Sequence, residues 1–227
     1  MILFWIEQVN GSEKLIKRVL RSNFLWRISG FNFYSAVYAT KGSILSLNSY
    51  LQLCKDESEF IKPFLTEDSV VLEFGSGLGG NLLSMSNLIR EGHGIDINSW
   101  YVHLANKIKD KLNAQNISFA SYDGKTLPNF DVKFDIIFSM NVFERIPKKN
   151  VELYITQLVT LMKDGGRMFL FFLNESAINT TFVKRLGVDA YVFWSKEEIR
   201  NLCSSLGLKV TEIMDWKNKA YMVFLNL

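Results

Sequence analysis

An apolar run, Val70-Val71-Leu72, leads into Glu73-Phe74-Gly75-Ser76-Gly77-Leu78-Gly79-Gly80-Asn81, a carboxylate followed by glycines at alternate positions. Glycines so spaced let a ligand approach bare main chain above the carboxyl end of a strand. Asp96 closes the next apolar run, the place from which a carboxylate accepts both hydroxyl hydrogens of a ribose. These are the parts of an adenosine site, with Glu73, Gly75, Ser76, Gly77, Gly79 and Asn81 at the turn, Asp96 at the sugar, and Ile97 beside it as a further cofactor contact. Gly75, Gly77 and Gly80 also satisfy Gly-x-Gly-x-x-Gly, so the glycines alone leave a nicotinamide dinucleotide site open. Glu73 weighs against it, because a carboxylate beside the turn repels a pyrophosphate and suits a cofactor carrying an ammonium and a sulfonium. No Lys-Ser/Thr pair follows the glycines, which excludes a nucleoside-triphosphate P-loop.

The stretch from Glu73 to Gly79 resembles motif I of the class I S-adenosylmethionine-dependent methyltransferases, acid-x-Gly-x-Gly-x-Gly, with Asp96 at that family's ribose-binding position. The likeness continues downstream in family order. Ser121-Tyr122-Asp123-Gly124 is similar to the loop whose acid contacts the adenine amino group, which implies cofactor contacts from Tyr122, Asp123 and Gly124. Phe134-Asp135-Ile136-Ile137-Phe138-Ser139-Met140-Asn141-Val142-Phe143-Glu144-Arg145-Ile146-Pro147 resembles the fourth strand and its loop, implying contacts from Ser139, Met140 and Asn141. Leu161-Met162-Lys163-Asp164-Gly165-Gly166-Arg167 is similar to the Leu-Lys-Pro-Gly-Gly turn before the fifth strand, with Asp164 where the family has Pro.

The resemblance implies S-adenosylmethionine as cofactor, S-adenosylhomocysteine as product, and a small molecule as acceptor. Methyl transfer from a sulfonium is an in-line displacement that needs mainly alignment and dryness, so the lack of a catalytic triad says nothing against an enzyme. Many small-molecule members carry a histidine after the glutamate in the loop following the fourth strand; Arg145 stands there. The two histidines, His93 and His103, fall at the second strand and on the following helix. A proton acceptor is therefore sought among Glu144, Tyr34, Tyr38 and Glu175. The loop Asn141-Val142-Phe143-Glu144 lacks the Asn/Asp-Pro-Pro-Tyr/Phe pattern of base-amino methylation. RNA or protein methyltransferases, a noncatalytic partner that keeps the fold, and an NAD(P)-dependent oxidoreductase stand as alternatives.

These residues need a parallel sheet to hold them. From Ser69 onward short apolar runs alternate with amphipathic stretches, the rhythm of stacked βαβ units. The pattern predicts strands over Val70–Phe74, His93–Asp96, Ile117–Ser121, Phe134–Ser139 and Arg167–Leu173. It predicts helices over Asn81–Arg90, from Trp100 to Ala114 with Ser99 as cap, and over Lys149–Met162, ended by Asp164-Gly165-Gly166. A capping box at Ser195–Glu198 opens a helix to Ser205, and Leu208–Met214 with Ala220–Leu225 form an antiparallel pair at one sheet edge. The expected fold is α/β, a Rossmann-like, seven-stranded, mostly parallel sheet with an antiparallel C-terminal strand and helices on both faces. Residues 66–227 would be the core and residues 1–65 a helical cap, with amphipathic spacing at Leu15, Val19 and Leu20 and a helix around Ser49 to Phe60; the cluster Phe31, Phe33, Tyr34 and Tyr38 reads as core packing or, as the family resemblance implies, as a lid over the cofactor. Asn174 to Phe193 is the other segment suited to substrate choice.

Bulk composition bounds the classes. The 227 residues, 48% hydrophobic and 22% charged, suffice for one domain of ordinary size with a real core. A net charge of +3, evenly scattered, is too small for a nucleic-acid surface. Cys54 and Cys203 stand far apart without ligand-spaced partners, so neither a disulfide framework nor a metal site is indicated, and a reducing cytoplasmic setting is expected. The runs Met1–Ile6 and Met168–Leu173 fall far short of the roughly 20 residues that cross a bilayer, so no membrane partner is expected.

Overall fold

The computed structural model describes residues 47–179 and 191–226. Val70–Phe74 forms β1, buried along its whole length, as a strand covered on both faces must be. It belongs to one sheet with β2 (Glu91–Asp96), β3 (Ile117–Ser121), β4 (Phe134–Ser139), β5 (Met162–Leu173), β6 (Lys209–Trp216) and β7 (Ala220–Asn226). The order is β3-β2-β1-β4-β5-β7-β6. Neighbours from β3 through β5 pair in parallel, and β7 runs antiparallel to both β5 and β6. This is the Rossmann-like, seven-stranded sheet expected, with β7 as the reversed strand. Chain order reverses between β1 and β4, and in open α/β sheets the crevice for a ligand opens at such a switch point, outside the carboxyl ends of the strands.

Side chains alternate between two cores. Val71, Ile136, Phe138, Phe169 and Phe171 pack against Leu82, Leu83, Val102 and Ala105, which come from α2 (Gly80–Met85) and α3 (Ser99–Leu112). Leu72, Phe74, Ile137, Leu170 and Phe172 face the opposite way, onto α4 (Lys148–Leu161) and α5 (Lys196–Ser205). Val151, Tyr154, Ile155 and Leu158 of α4 are the buried stripe that three-and-four spacing produces. The capping box of α5 is complete: Ser195 Oγ accepts from the Glu198 N–H, and the Glu198 carboxylate accepts from the Ser195 N–H.

Several boundaries differ from expectation. The helix after the glycines stops at Met85, continues as a 3-10 turn over Ser86–Leu88, and β2 begins at Glu91. The Asn116 amide donates to the carbonyls of Ser86 and Ile89, at 2.8 and 3.0 Å, satisfying oxygens that end would otherwise strand. Asn98, rather than Ser99, caps α3, its Oδ1 accepting from the N–H groups of Trp100 and Tyr101. The helix placed at Ser49–Phe60 is α1 (Leu47–Glu57), interrupted where the Ser58 hydroxyl donates to the Cys54 carbonyl, and followed by a 3-10 turn over Glu59–Phe64. β5 begins at Met162, before the glycine pair, because Met162 pairs with Phe134 and Lys163 reaches the Asp135 carboxylate at 2.7 Å. Among the described residues no helix is long and apolar enough to cross a membrane, and no group of three or more potential metal ligands occurs.

Candidate cofactor site

The turn after β1 folds back on β2: the N–H groups of Gly75 and Ser76 both donate to the Ile95 carbonyl, at 2.7 and 3.0 Å. Gly75, Gly77 and Gly79 all hold positive φ, +76°, +53° and +77°, a region costly for any residue with a Cβ. Space is as restrictive as torsion. A Cβ on Gly75 would lie 2.1 Å from Val142 Cγ2, and one on Gly79 2.2 Å from the Phe119 ring. The Gly80 N–H donates to the Tyr50 hydroxyl at 3.2 Å, and Cys54 fills the space a side chain at Gly80 would take. α1 is thus seated on the start of α2.

Asp96 ties the turn to the end of β2. Its Oδ2 accepts from the Gly77 N–H at 2.9 Å and its Oδ1 from the Asn98 N–H at 2.8 Å. Burial is the main influence on this carboxyl and pushes it up to about 6, against the backbone donors that favour the ionised form. Beside the main-chain donors of Gly77, Asn98 and Ile97, a carboxylate, with about four acceptor directions in all, still has room for a ribose hydroxyl. Ile97 follows, half-buried against the α4 side of the sheet.

Glu73 lies within β1, 1% exposed. Its Oε1 accepts from the Asn81 amide at 2.7 Å. Its Oε2, together with Ser76 Oγ and Asn81 Oδ1, is buried without a hydrogen-bond partner among the described residues. Burial first, then the nearby carboxyls of Asp96 and Glu57, push the Glu73 carboxyl up to about 8, while donors from Asn81 and the Leu82 main chain oppose the rise. Buried acceptors in this state call for a donor-rich cation. An ammonium supplies three N–H donors and a positive charge, whereas a pyrophosphate would meet repulsion. These residues fit an amino-acid-bearing nucleoside.

The remaining residues expected at the site fall at carboxyl ends of the same sheet. The Tyr122 N–H donates to the Asp96 carbonyl at 3.2 Å, and its buried ring packs on Phe74 at 6.1 Å between centroids. Asp123 Oδ1 accepts from the N–H groups of Lys125 and Thr126, folding an exposed loop, and the Gly124 carbonyl accepts from the Tyr154 hydroxyl. The Ser139 hydroxyl donates to the Phe74 carbonyl at 2.9 Å and is fully buried, so its side chain fastens β4 to β1. Met140 is buried, and exposed Asn141 adopts φ +56°. Glu144 is buried in a 3-10 turn over Phe143–Arg145, and Glu175 is exposed at the start of a 3-10 turn over Glu175–Asn179. Tyr34 and Tyr38 lie outside the described residues, as do the rest of the aromatic cluster and the N-terminal amphipathic spacing. His93 bonds Glu91 and Ser118, and His103 stacks on Trp100.

Sequence reasoning missed Asn98, Tyr50, Cys54, Val142 and Phe119. A signal existed for two of them: Asn98-Ser99 offers two capping residues in succession, and Gly94 within β2 leaves the space that the Phe119 ring occupies, with an added Cβ there only 2.4 Å from it. Tyr50, Cys54 and Val142 had none, because their contacts are long-range.

The strand order and the glycine turn at the carboxyl end of β1 define a Rossmann-like fold of the methyltransferase class. The chain belongs to the family described as methyltransferase domain, whose family model matches residues 47–213. Protein-L-isoaspartate O-methyltransferase 2 of Shewanella sediminis (strain HAW-EB3) is 31% identical over 131 residues, 57% of this chain and 50% of that protein. The chain thus spans about half the length of that curated relative. Among solved structures, magnesium protoporphyrin IX methyltransferase of Synechocystis PCC 6803 with bound S-adenosylhomocysteine has a TM-score of 0.68 at 16% identity, covering 93% of this chain and 99% of that one. A SAM-dependent methyltransferase from Aquifex aeolicus has a TM-score of 0.63 at 16% identity, covering 81% and 99%.

Proposed function

We propose that the chain is an S-adenosylmethionine-dependent methyltransferase acting on a small-molecule acceptor by in-line displacement. The observation that carries this reading is Glu73, a buried acid whose Oε2 lies unpartnered among the described residues beside the glycine turn, in a family of methyltransferases. When bound, the cofactor supplies a methyl group already activated on a sulfonium and leaves as S-adenosylhomocysteine.

The chain's own part is to bind, orient and exclude water. Glu73, Ser76 and Asn81 hold the ammonium end while the main chain of Gly75, Gly77 and Gly79 passes close beneath. Asp96 takes the ribose hydroxyls, Ile97 and the Tyr122-Asp123-Gly124 loop take the adenine, and Ser139, Met140 and Asn141 close the β4 side. Alignment of this kind supplies on the order of 7 to 11 kcal/mol, which is why few obligatory catalytic side chains are needed. The cap role falls to residues 1–65 and the core to 66–227, and within the described residues the former segment contributes α1, seated on Gly80, and the 3-10 turn over Glu59–Phe64.

A protein carboxylate is the second reading, favoured by the 31% identical isoaspartate methyltransferase. Calorimetry with S-adenosylhomocysteine against NADH tests the cofactor: binding of the sulfur nucleoside is expected, and binding of NADH alone overturns the reading. A labelled-methyl screen over metabolite extract, peptides and RNA tests the acceptor, with label expected in the small-molecule fraction.

A further inference from the structure

A second buried acid sits in the loop after β4. Val142 presses on Gly75, so this loop abuts the glycine turn, and Glu144 follows two residues on. Glu144 is 2% exposed, yet its Oε2 has no hydrogen-bond partner among the described residues. Glu57, at the end of α1, acts electrostatically on both Glu144 and Glu73. Of the other charged or titratable groups facing Glu144 among the described residues, Arg145 stacks its guanidinium 3.9 Å above the Tyr191 ring, and Tyr191 is drawn in from the segment before α5. The Val192 N–H donates to the Glu144 carbonyl at 2.8 Å and fixes that segment against the loop. A carboxyl oxygen buried without a donor is costly, and buried polar groups are as a rule met by a partner.

We propose that Glu144 seats an ammonium group of the methyl acceptor, so that the acceptor is an amine and not a carboxylic acid. This rests on the methyl-transfer reading and adds to it a class of substrate. An ionised Glu144 attracts a cation and repels a carboxylate, and an ammonium brings the N–H that Oε2 lacks among the described residues. The chemistry balances. The ammonium proton passes to Glu144 Oε2 and frees the nitrogen lone pair. The N–C bond to the methyl carbon then forms as the C–S bond breaks, the bonding pair staying on sulfur, and the proton leaves Glu144 for solvent. Burial, the leading influence, holds the Glu144 carboxyl up to about 7, near the value a proton acceptor needs at neutral pH.

The test is binding, measured by calorimetry on protein saturated with S-adenosylhomocysteine so that Glu73 is already engaged. Benzylamine and phenethylamine are compared with benzyl alcohol and benzoate. The amines are expected to bind at least tenfold more tightly than the alcohol, with benzoate weakest. In Glu144→Gln the amine preference should fall below threefold while S-adenosylhomocysteine affinity stays within threefold. In the wild type, ionisation of a carboxyl near 7 strengthens the preference about tenfold from pH 6 to pH 8. Absence of any amine preference, its persistence in Glu144→Gln, or tighter binding of benzoate overturns the proposal. Failure of S-adenosylhomocysteine to bind at all overturns the methyl-transfer reading instead.

Discussion

Replacing Glu73 by Gln removes an ionisable group from the middle of the sheet and keeps the side chain's shape. The Glu73 carboxyl is raised from 4.5 to about 8, chiefly by burial. A raised acid favours the folded protein below its unfolded value and loses that contribution as pH climbs toward its folded value, so the wild type should weaken between about pH 4.5 and pH 8. At 1.36 kcal/mol per pKa unit, the loss by pH 7 is about 3 kcal/mol, against less than about 1 kcal/mol at pH 5. Gln still accepts from the Asn81 amide and brings a donor within reach of the unpartnered acceptors nearby. Without cofactor, Glu73→Gln should therefore melt higher than wild type at pH 7 by roughly 6 to 12 °C, taking about 2 to 4 °C per kcal/mol for a chain of this size, and nearly alike at pH 5. The same variant should bind S-adenosylhomocysteine at least tenfold more weakly at pH 7 to 8. Thermal melts at the two pH values check the first claim and calorimetry the second. A variant that melts at or below wild type at both pH values would refute the argument from a buried, unpaired carboxylate.

Asp96→Ala should weaken S-adenosylhomocysteine more than tenfold, because bonds to a charged acceptor are worth about 1.5 to 3 kcal/mol each; unchanged affinity in calorimetry removes Asp96 from the site. Gly79→Ala combines positive φ with a Cβ 2.2 Å from the Phe119 ring, whereas Gly165→Ala at φ +73° meets nothing within 4 Å. Urea melts should show about 1 to 2 kcal/mol lost at Gly165, the backbone cost alone, and a clearly larger loss at Gly79, where overpacking adds about 1 to 3 kcal/mol; equal losses would contradict the packing at Phe119.

Local pattern carried far in this protein. The buried runs that became β1 and β4, the four-residue stripe of α4 and the capping box of α5 all depend on neighbours within a few residues, and such short-range signals are legible in a string of letters. Helix ends were less so. Asn116 stops the chain after α2 from 27 and 30 residues away, and the Met162–Phe134 and Lys163–Asp135 pairings draw β5 out before its glycines.

The order of strands, with β7 slipped between β5 and β6, is a matter of which apolar faces find each other, and no local preference encodes it. The same holds for electrostatics. That Glu73 and Glu144 are deeply buried, each with an unpaired oxygen among the described residues, and that Glu57 bears on both, follows only once α1, the glycine turn and the β4 loop have converged, because desolvation belongs to a place in three dimensions and not to a residue type. Sequence alone determined which groups were available and which turns they would stand on; tertiary packing decided which of them lost water, and so which are charged with chemical consequence.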